Sequence, residues 1–132
     1  MSGRWVPGVL VLVLCATLLP SGCKDSTAPG GPGQLTVSLA SDAGSGAAFL
    51  VTVGGQGVTD PVAATDGHLI YSLLSDSTAR VAVIGEVRSG ALFKFSVPDV
   101  SRAHDYTIRL EQVAGADNHI LSTSDFSLAL TR

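Results

Sequence analysis

The chain has 132 residues, with 15 glycines, 6 prolines and two cysteines, which leaves room for one domain of ordinary size. Eight Lys and Arg against eleven Asp and Glu give a net charge of −3. That balance argues against nucleic acid, which rewards a basic patch able to release counterions, and against electrostatic docking on anionic lipid.

The chain opens with Arg4, then about fourteen largely apolar residues from Val6 to Leu19, interrupted early by Pro7 and Gly8. A hydrocarbon core needs roughly 20 apolar residues in a helix, so this run is short for a permanent span. A positive start, a short apolar centre and small residues at the end predict a secretory signal peptide over residues 1–22.

The run closes in Ser21-Gly22-Cys23, which resembles the lipobox of bacterial lipoproteins, with Pro20 where that family usually has Leu. The resemblance covers the first 23 residues and implies acylation of Cys23 on sulfur and then, as the new N-terminus, on its amine. One acyl chain holds a protein to a membrane only marginally, and several hold it stably. Cys15 is a poor rival, because Val13 and Leu14 precede it inside the apolar run. The expected location is therefore the cell envelope, with the membrane as a partner through Cys23. In the family the residue after the cysteine helps sort the protein, and Asp there favours the inner membrane. Lys24 in that place favours the outer membrane over the inner.

After a cut before Cys23, seven basic side chains face eleven acidic ones, a net charge near −4. No second cysteine remains, so no disulfide can form within the domain, and stability has to come from an apolar core. Residues 23–34 carry the sequence KDSTAPGGPGQ behind the cysteine. They are polar, small and rich in Gly and Pro, and predict a flexible tether with a reach of roughly 15–20 Å.

From Leu35 to Arg132 the dominant period is two. Leu35, Val37 and Leu39 share one side of LTVSLAS, and Phe49, Val51 and Val53 repeat the pattern. Leu69, Tyr71 and Leu73 continue it, although Ile70 and Leu74 make that segment apolar on both faces. Val81 and Val83 follow, then Phe93, Phe95 and Val97, then Tyr106, Ile108 and Leu110, and finally Phe126, Leu128 and Leu130. Such alternation marks strands buried on one face. Turn chemistry separates them at DAGSG (42–46), SDST (75–78), RSG (88–90), Pro98-Asp99 and AGADN (114–118). Seven strands with turns at this spacing predict an all-β fold, an antiparallel β-sandwich, with a partly open barrel as the alternative. Helical periodicity is lacking, apart from room for one short turn within Val97 to Ala103.

The stretch from Gly54 to Gly67 is long for a hairpin and is expected either to cross between sheets or to form a binding loop. The two-sided segment from Leu69 to Leu74 predicts either a central strand or a contact surface.

Chemistry finds little support. Acyl transfer needs a nucleophile, a histidine within reach and a group to orient it, and no G-x-S-x-G occurs. His68, His104 and His119 fall at strand ends or turns and read as surface histidines; in an extended strand, adjacent His104 and Asp105 would point to opposite faces. The histidines are too scattered for zinc. Asp60, Asp66, Asp76, Asp99, Asp117 and Asp125 fall at or near loops, but without a calcium-loop signature they read as turn formers. The glycine clusters lack the Lys and helix of a phosphate cradle. Trp5 leaves with the leader, and the remaining Phe and Tyr read as core rather than as a sugar platform. The expectation is a protein that is not an enzyme, with no cofactor and no bound metal.

The alternating strands, together with GALFKFSVPD at Gly90 to Asp99, resemble cohesin-type extracellular sandwich modules in pattern, which carries no functional residue across. The function expected is a membrane-anchored interaction or structural module whose partner is another envelope protein. A glycan- or small-ligand-binding module with residues 54–67 as its lip is the alternative.

Overall fold

The structure, a computed structural model, describes Gly3 and residues 30–132; Cys23 and the rest of the signal segment lie outside the described residues. Among the described residues nine strands build the fold: β1 (Gly33–Ser41), β2 (Gly46–Gly54), β3 (Thr59–Ala63), β4 (Leu69–Leu74), β5 (Thr78–Val87), β6 (Gly90–Val97), β7 (Thr107–Ala114), β8 (Ile120–Leu121) and β9 (Phe126–Thr131). They form two antiparallel sheets, one ordered β3-β6-β1-β9 and the other β4-β5-β2-β7-β8. The fold is a β-sandwich, and the barrel alternative is set aside because the two sheets remain separate.

Alternation decides which atoms meet. The pleat sends successive side chains to opposite faces, so Leu35, Val37 and Leu39 of β1 face Phe49, Val51 and Val53 of β2 across the interior. Val81 and Val83 of β5 and Phe93, Phe95 and Val97 of β6 join them, and all are buried. Rings link the sheets: Phe49 of β2 meets Phe126 of β9 edge to face at 6.0 Å, and Phe95 of β6 lies 6.1 Å from Tyr106, just ahead of β7. Edge-to-face placement sets the positive rim of one ring against the negative face of the other.

Bulges correct the phase where strict alternation would fail. Between Val37 and Ser38 of β1, β6 carries an extra residue, so Leu92 and Phe93 are both fully buried although adjacent. A second irregularity skips Glu111, so Leu110 pairs with Val51 while Gln112 pairs with Leu50. That slip returns Val113 to the interior.

Two strands escape the period-two pattern. β3 lies in the stretch from 54 to 67 at the edge of the four-stranded sheet, with Pro61 at an irregular pairing and Asp60 at φ 49°. Proline is tolerated at edges and bulges because no ladder partner there needs its N–H. The stretch thus leaves the five-stranded sheet after β2, forms one strand of the other sheet and returns as β4. Val58 anchors it in the core, while Val62 stays exposed. β8 has only two residues. The short turn foreseen near residues 97–103 is a 3₁₀ segment at Val100–Asp105, capped by Asp99.

The start of β1 is also pinned. The Gly31 N–H donates to Asp99 Oδ1 at 3.1 Å, and the Val100 N–H donates to the Gly31 carbonyl at 2.9 Å. These two bonds join residue 31 to the segment that follows β6.

Replacing Phe95 with Ala should cost about 3–5 kcal/mol in chemical unfolding, as for other buried aromatics. At exposed Leu73, a change to Ser should stay within about 0.5 kcal/mol.

Candidate protein interface

The outer faces of the two sheets differ in kind. Directly opposed residues share a face, so the pairings define rows across each sheet. On the four-stranded sheet one row reads Thr131, Thr36, Lys94 and Val62, and another reads Gln34, Ser96 and Thr59. These are the mostly polar side chains expected on a solvated face.

The five-stranded sheet breaks that rule. Its first outer row runs Leu69, Ile84, Ala48, Ala114 and Ile120, and its second runs Tyr71, Ala82, Leu50 and Gln112. Leu69, Tyr71 and Ile120 are more than half exposed, at 54%, 61% and 63%. Charge enters with the third row, Leu73, Arg80, Thr52 and Arg109, and with the two acidic residues outside the paired rows, Glu111, 3.8 Å from Arg109, and exposed Glu86. Small side chains in the middle leave two shallow hollows of about 330 and 310 Å³, floored by Leu50 and Ala82. The larger side chains of β4 form a ridge along one margin.

This reverses an expectation. Leu69, Tyr71 and Leu73 do alternate, but they alternate outward, and Leu73 is 71% exposed. β4 is an edge strand, not a central one. Its inward side chain Ile70 packs against the core, while Leu74, at the strand's end, is 43% exposed. Tyr71 is thus an aromatic displayed on a sheet face, unlike the buried Phe49, Phe93 and Phe95.

A second concavity, of about 450 Å³, lies at one end of the sandwich between the turn after β2 and the 3₁₀ segment. Its wall is the Tyr106 ring, packed over Gly55, whose φ of 142° suits glycine and where any Cβ would strike the ring. The Tyr106 hydroxyl donates to the Gln56 carbonyl at 2.7 Å, and burial pushes the phenol's pKa up. The rim groups are already occupied. Arg102 Nε donates to Asp105 Oδ2 at 2.8 Å, and Asp99 Oδ1 accepts from the Ser101 hydroxyl at 2.6 Å and the Ser101 N–H at 2.9 Å as well as from Gly31. These donors, the Ser101 hydroxyl foremost, hold the Asp99 carboxyl below its ordinary value of 3.8.

The histidines divide. His104 and His119 are exposed, at 79% and 82%. His104 and Asp105 do not splay apart as strand neighbours would: they sit on the 3₁₀ segment, with His104 Nε2 3.3 Å from Asp105 Oδ1. His119 Nδ1 lies 2.8 Å from Asp117 Oδ2, and that contact leads the causes lowering the Asp117 pKa. His68 is not a plain surface residue; it lies half-buried over Gly85, with Nδ1 buried and unpartnered. Among the described residues, no three His, Cys, Asp or Glu side chains converge in a way that could hold a metal ion.

Comparison with protein families, with curated proteins and with solved structures returns no match.

Because its folded pKa is depressed, the Asp99 lock contributes stability above about 3.8 and loses it as the pH falls through the lowered folded value. The amide resonances of Gly31 and Ser101 should titrate with a midpoint below 3.8, and Asp99→Asn should abolish that inflection.

Proposed function

We propose that this chain is a non-catalytic envelope lipoprotein, held to the outer membrane through acylated Cys23, whose sandwich binds another envelope protein. The observation that supports this reading is the apolar outer face of the five-stranded sheet. Contiguous apolar surface is costly to leave in water, and on a folded domain it commonly marks a site of contact. A displayed tyrosine beside aliphatic side chains, with arginines at the margin, fits the composition of interface centres and rims. The acidic balance of the chain supports a protein partner over nucleic acid.

The anchor rests on Ser21-Gly22-Cys23 and on the polar stretch that follows. A tether of that composition lets the sandwich orient its sheet face toward a neighbour on the same membrane. The alternative of a glycan module has less behind it, since the polar groups around the Tyr106 concavity are already bonded to one another.

Crosslinking and co-purification from native membranes test the proposal. The parent chain should capture a specific partner. The double change Tyr71→Ser and Leu73→Ser should lose it without moving the thermal midpoint, because both side chains are exposed. Cys23→Ala should release the chain from the membrane fraction and lower capture. Absence of any partner for the parent chain would refute the interaction role.

A further inference from the structure

We infer that the partner seated on the β4 edge is a second copy of this chain, joined by antiparallel pairing of β4 with β4 of the partner copy about a two-fold axis through Ser72. The inference rests on reading this region as a protein-binding surface and names its occupant.

Edge strands offer unpaired N–H and C=O groups, and natural proteins block them with charge, proline, bulges or brevity. Among the sheet edges, β3 carries Pro61 and an irregular pairing, and β8 has two residues. β9 shows small outer side chains, Ser127, Ala129 and Thr131, and lies beside β7 of the other sheet. β4, with the sequence LIYSLL, also lies beside a strand of the other sheet, β3, but it carries no proline, charge or register irregularity and displays the largest apolar side chains of any edge.

The strand is also complementary to itself. A continuous sheet with both outer faces on one side requires outward residues to oppose outward ones, so the two residue numbers in each pair must sum to an even number. Centring the axis on Ser72 puts Tyr71 opposite Leu73 of the second copy on the outer face, twice over. It also puts Ile70 opposite Leu74 on the inner face, which covers the Leu74 side chain left 43% exposed in the single chain. Serine meets serine on the axis, and no charge of β4 meets its like. Centring on Tyr71 instead would set Ile70 against Ser72, a poorer match. The product is a ten-stranded sheet carrying both apolar faces on one side.

A contact six residues long spans about 20 Å. It lies at the low end of specific interfaces, below about 1,200 Å², so association should be weak in solution. Confinement of both copies to one membrane would raise their effective concentration.

Thiol crosslinking of the full chain in native membranes tests the register. Opposed Cα atoms in an antiparallel pair lie about 4.5–5.5 Å apart, within the range a disulfide spans. Mild oxidation of Ser72→Cys should give a dimer at least tenfold above both the parent chain, which sets the background, and Ser38→Cys on the opposite sheet. Adding Leu73→Lys, a charge of the kind that guards natural edges, should return the yield to background with an unchanged circular dichroism spectrum. Background yield for Ser72→Cys, or efficient crosslinking of Tyr71→Cys in its place, would overturn the proposal. Capture of a different protein by a chain that never dimerises would refute this inference alone and leave the interaction role standing.

Discussion

Everything described here hangs on one contact, the packing of two inner sheet faces through side chains that have no polar atom to satisfy. Among the described residues sixteen apolar residues are buried and no polar or charged residue is buried with them. Burial of this kind is worth about 25 cal/mol per Å² of apolar surface. It needs no bridge or metal to supplement it in a domain of this size. The pleat then dictates the rest: once Val37, Val51 and Val81 point inward, their neighbours Thr36, Thr52 and Arg80 must point outward.

Departures from strict alternation sit where the interior needs them. Leu92 and Phe93 both turn inward because β6 bulges opposite β1, and Val113 returns to the core because β7 slips at Glu111. The ends of the sandwich are closed by polar bonds instead. Asp99 ties the entry of β1 to the 3₁₀ segment, and Tyr106 ties that segment to the turn after β2. These ties occupy polar groups that line the concavity beside Tyr106, whereas the flank of the five-stranded sheet exposes apolar side chains.

That flank and its edge are two aspects of one arrangement. A sheet face is polar when water is its permanent neighbour, as on the four-stranded sheet. An apolar face together with an unguarded edge is the pattern expected when another chain covers both. A membrane anchor and a self-pairing edge would act together, since tethering offsets the weakness of a narrow contact.

Period-two spacing of β-branched and aromatic residues was enough to establish the all-β sandwich and most of its core, because alternation and one-sided burial are the same fact seen in sequence and in space. The Ser-Gly-Cys ending is the local chemistry on which the proposed anchor rests, and it lies outside the described residues. β3 was hidden because Pro61 and the positive φ of Asp60 imitate a loop, and β8 because two residues have no period. Tertiary structure alone decided what Leu69, Tyr71 and Leu73 do. Their spacing matches that of buried residues, and whether a periodic apolar row meets a core or water depends on which sheet its strand joins and whether another strand lies beyond it. Spacing along one strand carries no record of its neighbours.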